Sequence, residues 1–554
     1  MLIIVSCNKV PLFLTYSKKF IQMKLLKPIG LTAFAMLALA GCGTSKMVAT
    51  NPANIDKIPL KISPINENDL KRWSNLDLAK DTVPGMSVDR AYAELIKNKK
   101  GTKVIVGIVD SGVDIEHEDL KGMIWTNTKE IPGNGIDDDK NGYIDDIHGW
   151  NFLGDADNEN LELVRILKKG DDGSATYKKA KADYDKKNEE ALGSKQQVDF
   201  IFKAKDKIAA YLKKDNYTLD EVKAITATEP ALLQSKQVMM SVIGQTGPDF
   251  NSDLNDYKNQ VYDQLNYNLN LEFSGRKTGD NPDTMDNKSY GNNTVWGPAK
   301  DGALHGTHVS GIIAQIRGNK LGSDGVTNNA QIMAVRAVPN GDEYDKDIAL
   351  AIRYAVDNGA KVINGSFGKY FSPHKEWVYD AIKYAASKDV LIVTAAGNDG
   401  LDIDLVENKS YPNDSQDNTT EVANNYMTVG ALNTTYGSGL VANFSNYGSK
   451  NVDLFAPGTK IYATVPNNLY KYEQGTSMAS PEVAGVAALV RSYYPDLTAA
   501  QVKQILMDSG TPTNTIVTLG EKEEKRPFTN ASKSGKMVNA YNALVMASKI
   551  SKKK

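Results

Sequence analysis

Two of the five histidines in this 554-residue chain stand three residues apart, in ALHGTHVSGIIAQI (303–316). At that spacing His305 and His308 share one face of a helix. They could hold a metal ion together, or one could act as a base while the other packs. The glutamate of an HExxH zinc motif does not accompany them. A base needs a group to deprotonate. GTSMASPEVAGVAALV offers Ser477, just after Gly475, and TKVIVGIVDSGVD offers Asp110. A serine hydroxyl is a weak nucleophile near neutral pH. An imidazole within reach activates it, provided a carboxylate fixes the imidazole tautomer and stabilises the imidazolium. Asp110, His305 and Ser477 are the residue types that such chemistry requires.

The elements around these residues must bring them together. The run before Asp110 is apolar and β-branched, the pattern of a buried strand, and it breaks at Asp110-Ser111-Gly112. KVINGSFG (361–368) and VLIVTAAGNDG (390–400) repeat the pattern, apolar residues first and then small and polar ones. Helical stretches such as DKDIALAIRYAVDNGA lie between them. This alternation predicts a parallel, doubly wound sheet, which presents its active groups where strands end. After Ser477 come Ala479, Ala484, Gly485, Ala487 and Ala488, small residues that let a helix pack closely in the interior. Pro481 is expected in that helix's first turn, where its missing N–H costs nothing. Ser477 would then sit at a helix N-terminus, where developing negative charge is favoured.

Residues from about 155 to 290 depart from this pattern. They are rich in Lys, Asp, Asn, Gln and Tyr, yet Val198, Ile201, Ile208, Tyr211 and Leu212 fall on one helical face. In YTLDEV (217–222), Thr218 and Glu221 have the spacing of a capping box, and Tyr217 and Val222 that of a hydrophobic staple. The region is expected to be a helical insertion.

The chain is 41% hydrophobic and 24% charged with a net charge of −2, the composition of a globular protein with a real core. No basic excess is available to bind nucleic acid, which is therefore not an expected partner. The two cysteines, Cys7 and Cys42, both lie near the start, so the body has no internal disulfide. From Met23, MKLLKPIGLTAFAMLALAGC has the charged and apolar regions of a signal peptide, and its apolar run is short for a membrane span. Its LALAGC ending resembles a bacterial lipobox, which implies lipidation at Cys42. Residues 1–42 are thus expected to be a signal peptide with its lipobox, Cys42 becoming the mature N-terminus and 1–22 lying upstream of a misassigned start. Residues 43–72, with Pro52, Pro59 and Pro64, are expected to be a polar tether. A body spans 73–545 and a basic tail 546–554.

GIDDDKNGYIDDIHGW (135–150) sets Asp137, Asp139, Asn141 and Asp145 around Gly142. Oxygen ligands so spaced suit Ca²⁺ and resemble the first part of an EF-hand loop. His148 stands where that loop's bidentate glutamate would be, so this is not an EF-hand. A structural calcium site and a solvated acidic turn both remain open.

Four segments together resemble the subtilisin-like serine peptidases, the subtilases. VIVGIVDSGVDIEHEDL, HGTHVSG and GTSMASPEVAGVAALV resemble the three active-site signatures, in the order Asp, His, Ser. VTAAGNDG resembles the oxyanion segment, and likeness continues through ANFSNYGSKNVDLFAPG (442–458). The resemblance covers about 73–154 and 290–545. It implies a three-layer α/β/α fold with a mainly parallel sheet, here carrying a helical insertion. It implies that Asp110, His305 and Ser477 form a catalytic triad, with His308 and His117 structural. Asn398 would supply its side-chain amide to the oxyanion beside the Ser477 backbone N–H. Ser366, Phe367 and Gly368, with Ala395, Ala396 and Gly397, would bind the substrate as an added strand and flank a pocket. Substrates would be proteins or peptides, and catalysis would need no cofactor.

Two departures stand out. Asp110 and His305 are 195 residues apart, although loop closure over that length is not costly. The stretch from Cys42 to Trp73 is short for an inhibitory pro-domain. The expected activity is that of an exported serine endopeptidase, held by lipid on Cys42 at the membrane of a bacterial cell envelope. A peptide ligase or narrow processing protease on the same fold, and a catalytically silent envelope binding protein, are the alternatives. The sequence leaves the preferred substrate and the oligomeric state open.

Overall fold

The computed structural model of the protein describes residues 65–226, 228–247, 250–286 and 289–552. The expected signal segment, Cys42 and most of the expected tether lie outside the described residues. Within 65–72 the helix Glu67–Leu70 forms, and Ile65 and Leu70 pack against a cluster around Trp73.

The apolar runs form strands β1 (Val104–Asp110), β2 (Gly149–Asn151), β3 (Ala330–Arg336), β4 (Val362–Gly365), β5 (Leu391–Ala395), β6 (Tyr426–Leu432) and β7 (Leu454–Pro457). They lie in the order β7-β6-β5-β4-β1-β3-β2, all parallel, and the short strands Lys536–Met537 and Thr511–Pro512 extend the β7 edge. The last of these pairs antiparallel, so the sheet is mainly parallel, as expected. Side chains alternate along β1. Val104, Val106 and Ile108 face one apolar layer with the helices Leu304–Ala314, Thr476–Tyr493 and Ala540–Ile550. Val109 faces the other, with the helices Asp345–Asp357 and Lys375–Ser387. Burial on both faces is why these strands are apolar throughout. The result is the expected three-layer α/β/α arrangement.

β1 lies between β3 and β4, where the chain's progression across the sheet reverses. Asp110 ends β1 at that switch point, the place where open α/β sheets form clefts. An antiparallel hairpin, β8 (Ile461–Val465) and β9 (Leu469–Glu473), follows β7 and leads into the helix Thr476–Tyr493.

The middle region carries the helices Glu162–Lys168, Ala175–Leu212, Leu219–Lys223, Pro230–Thr246 and Phe250–Asp263. The Thr218–Glu221 capping box is present, and Tyr217, Val222, Ile208, Met239 and Phe250 share a small separate core. Tyr211 does not join that core's interior; it is exposed. No helix among the described residues is long and apolar enough to cross a membrane.

Candidate active site

β1 delivers Asp110, and the first turn of the helix Leu304–Ala314 delivers His305. That helix can sit so close because Gly306 replaces a side chain. A Cβ there would lie 2.1 Å from the Gly112 carbonyl oxygen. His305 Nδ1 lies 2.7 Å from Asp110 Oδ1. A carboxylate only accepts, so Nδ1 carries the proton and Nε2 is left as a bare acceptor. Burial works against the imidazolium, but the Asp110 charge and hydrogen bond outweigh it, and the His305 pKa is raised above its usual value. The chain folds 195 residues apart into contact here.

His308 is a different kind of residue. It is fully buried, and its Nε2 reaches the carbonyls of Ile461 and Lys471 at 3.1 Å each, tying the helix to the hairpin. Burial pushes its pKa down to about 4. A metal pair would need both imidazoles free, and His308 is committed to β8 and β9. His117 likewise bonds the Leu469 carbonyl, His148 the Trp125 carbonyl, and His374 the Asp283 carboxylate.

Gly475, with φ 150°, N-caps the helix of Ser477. Ser477 Oγ donates to the Ser366 carbonyl at 3.2 Å. Its single proton is therefore not shared with His305 in this arrangement. Pro481 is not in the first turn as expected. It lies in the second, where its absent N–H leaves the Ser477 carbonyl without its helical donor. Ser366 Oγ donates to that carbonyl at 2.8 Å instead.

The orientation of Asn398 is fixed by its neighbours. Its Oδ1 accepts from the Thr476 backbone N–H at 2.8 Å and the Thr476 hydroxyl at 3.0 Å. The amide N–H₂ must therefore point the other way. A Cβ added at Gly475 would lie 3.6 Å from the Asn398 amide atoms and from Ser477 N alike, so the amide and that backbone N–H border one small space. Beside it, Phe367, Gly368, Ala395, Ala396, Gly397 and Ser477 line a cavity of about 280 Å³. Ser366 lies behind the wall rather than in it, and is buried.

Several positioning residues escaped the sequence reasoning. Asn446 holds the Asn398 turn, accepting from the N–H groups of Asp399 and Leu401 and donating to the Ala396 carbonyl. Gly397 has φ +101°, and a Cβ there would strike Asn446 at 2.4 Å. Asn364 and Ser480 complete a buried chain through Ser366. The segment ANFSNYGS contained Asn446, but nothing in its spacing pointed at Asn398.

The acidic loop is gathered differently from its expected ligand set. Carboxylate oxygens of Asp137, Asp139 and Glu130 lie within 4.8 Å of one another. Asp145 instead accepts from the N–H groups of Gly133, Asn134 and Gly135, and the Asn141 oxygen accepts from Tyr143 N–H. The partner that joins Asp137 and Asp139 is Glu130, five residues before the loop and outside its alternating pattern.

The model of the subtilase family, peptidase S8, matches residues 101–531. The chain is 44% identical over 189 residues to the thermophilic serine proteinase of Bacillus sp. (strain AK1), covering 34% of this chain and 42% of that one. It is 35% identical over 302 residues to subtilisin-like protease 1 of Plasmodium falciparum (isolate 3D7), covering 50% and 41%. It is 35% identical over 215 residues to subtilisin DY of Bacillus licheniformis, covering 39% and 72%. The chain thus spans less than half the length of the first two relatives. With the match running from the strand of Asp110 past the helix of Ser477, this chain belongs to the subtilase family.

Proposed function

We propose that the protein is a serine endopeptidase acting through Asp110, His305 and Ser477. The observation that carries this reading is the 2.7 Å contact between His305 Nδ1 and Asp110, which leaves Nε2 free to accept a proton. A peptide would lie against the 366–368 segment as an added strand, with the side chain before the scissile bond in the 280 Å³ cavity. Ser477 Oγ attacks the carbonyl carbon while His305 Nε2 takes its proton. Asp110 keeps the imidazole in the correct tautomer and offsets the imidazolium charge. The carbonyl oxygen, now an oxyanion, accepts from Asn398 Nδ2 and Ser477 N. His305 returns the proton to the leaving amine, and water then releases the acyl group by the same steps. Catalysis uses no cofactor.

Substrates would be proteins or peptides, reached from a bacterial cell envelope to which a lipid on Cys42 tethers the enzyme. A structural Ca²⁺ fits Glu130, Asp137 and Asp139 better than the loop alone. Ligands on opposite sides of an ion at about 2.4 Å stand about 4.8 Å apart, the limit within which these three oxygens fall.

A fluorophosphonate probe tests the core of this reading. It should label the folded protein once, at Ser477, and fail to label Ser477→Ala. Folded parent protein that takes no label would overturn the proposal in favour of a silent binding protein.

A further inference from the structure

The last helix of the insertion, Phe250–Asp263, continues without a break through Gln264–Asn268. Its start packs into the small core of the insertion, and two places further along touch elements that adjoin the candidate active site. At its seventh residue, the Asp256 carboxylate accepts from the Lys471 ammonium at 3.0 Å. Lys471 belongs to β9, the strand whose Glu473 charge bears on His305 and whose backbone receives His308. Nine residues further on, Leu265 and Leu269 join one apolar cluster with Tyr370 and Phe371. Those residues continue the segment that begins at Phe367 and lines the cavity. Asn268 donates to the Asn340 carbonyl at 3.0 Å, and Asn340 donates to Asp263 at 2.9 Å, fixing that end further.

Nine helical residues rise about 14 Å, the length of roughly four residues of extended chain. The two contacts therefore lie about as far apart as the ends of a short extended peptide. The long helix Ala175–Leu212 braces it, through the Tyr262 hydroxyl bonded to Asp199 at 2.6 Å. The two feet are unequal. The one formed by half-buried Leu265 with buried Asn268 and Leu269 is held by several contacts. The one at Asp256 is a single exposed ion pair, and Lys471 shares its charge with Glu473 at 3.3 Å.

Resting on the peptidase reading above, we propose that this rod is a bar across the cleft that admits only substrate able to enter as a flexible extended segment, and that Asp256–Lys471 is the latch on its looser end. The substrate class that follows is unstructured polypeptide, such as tails, linkers and unfolded chains, rather than tight loops on folded proteins.

One cleavable sequence should be offered to the full chain in two forms, as a free peptide and as a tight surface loop of a folded host protein. The parent should cleave the peptide and attack the loop far more slowly. Asp256→Lys replaces attraction with repulsion at the latch. An exposed pair is weak, so loop cleavage should rise about threefold to fivefold, with peptide kcat/KM unchanged within about twofold. Adding Lys471→Asp to Asp256→Lys restores the pair with its charges exchanged, and should restore the parental ratio. A loop-to-peptide ratio indifferent to Asp256→Lys, or one that the exchange fails to restore, overturns the bar while leaving the peptidase reading intact. A parent that cleaves neither form overturns the peptidase reading and the bar with it.

Discussion

Ser366 and Ser477 hold each other through two hydrogen bonds, Ser366 Oγ to the Ser477 carbonyl at 2.8 Å and Ser477 Oγ to the Ser366 carbonyl at 3.2 Å. The first bond exists because Pro481 cannot donate to residue 477. The helix that carries Ser477 is thereby pinned, within its first turn, to the segment that follows β4 and goes on to line the cavity at Phe367 and Gly368. Ser366 Oγ also accepts from Asn364, whose oxygen accepts from Ser480. A helix-breaking residue and three polar side chains thus fix where Ser477 stands.

Ser366→Ala should expose that dependence. It leaves a buried carbonyl and the Asn364 amide without partners, a loss of about 1–3 kcal/mol. Chemical denaturation should show that loss in full. Turnover should fall by about tenfold to a hundredfold, since small misplacements of a reacting group are costly. Unchanged kcat in a destabilised variant would mean that the Ser477 position is set elsewhere.

The two histidines of the same helix should behave oppositely with pH. His305 must be neutral to accept a proton, and its folded pKa is raised, so activity should increase through a pKa above the usual 6.5. Its stabilisation by Asp110 is fully present below the unfolded pKa and is lost as pH rises through the folded one. Asp110→Asn should abolish that raised pKa and cut kcat by about 10⁴. His308 has the reverse sign. Its folded pKa is lowered to about 4, so the fold favours the neutral ring. That stability is present above pH 6.5 and is lost as pH falls from 6.5 to 4, in total about 3 kcal/mol. His308→Phe should flatten this acid limb of the stability curve while retaining turnover in whatever folds, whereas His305→Ala folds and does not turn over.

Asn398→Asp separates the two roles of the side chain. An aspartate keeps an oxygen for the Thr476 N–H but offers no donor, so the fold should survive. Loss of the oxyanion donor should lower kcat by about 10²–10³. Circular dichroism and steady-state kinetics on one preparation test both halves. A variant with parental kcat would remove Asn398 from the chemistry.

Much of this site was legible in the sequence, for a physical reason. Strand ends, helix starts and close-packing glycines leave local traces, so Asp110, His305, Ser477 and the strands beneath them could be found one by one. The Thr218 capping box was visible on the same ground, because its partners are three residues apart. What could not be read were contacts made at long range by ordinary residues. Asn446 supports Asn398 from 48 positions away, and its neighbours would suit any loop; its distance follows from the two residue numbers alone. Pro481 could be seen but not placed, since its turn depends on where the helix starts. Glu130 lies outside the alternating pattern that drew attention to the acidic loop, and only folding brings it to Asp137 and Asp139.

Cys42→Ser tests the anchor. Without a thiol there is no site for the lipid, and the protein should move from the membrane fraction to the soluble one. Retention in the membrane fraction would mean that the apolar segment before Cys42 is itself the anchor.

The acidic loop should make stability depend on calcium. Three carboxylates of like charge repel one another unless a cation or solvent offsets them, and Glu130 and Asp139 are further tied together by the Asp139 N–H donated to Glu130 at 2.9 Å. An ion bound only by the folded state stabilises it by RT ln(1 + [L]/Kd), about 2.7 kcal/mol at a hundredfold excess over Kd. Chelation should therefore lower Tm, and added Ca²⁺ should restore it. Glu130→Gln with Asp137→Asn removes two charges while keeping the shape of the loop. It should abolish most of the calcium response, and it should raise Tm in chelator because the repulsion is relieved. Asp145→Asn acts on the loop's own turn, where the carboxylate gathers three N–H groups, and should destabilise the protein with or without the ion. If the double variant responds to calcium as the parent does, the ion binds elsewhere. If the parent is indifferent to chelator, the three carboxylates are only a solvated turn, and the case for Asp110, His305 and Ser477 is untouched.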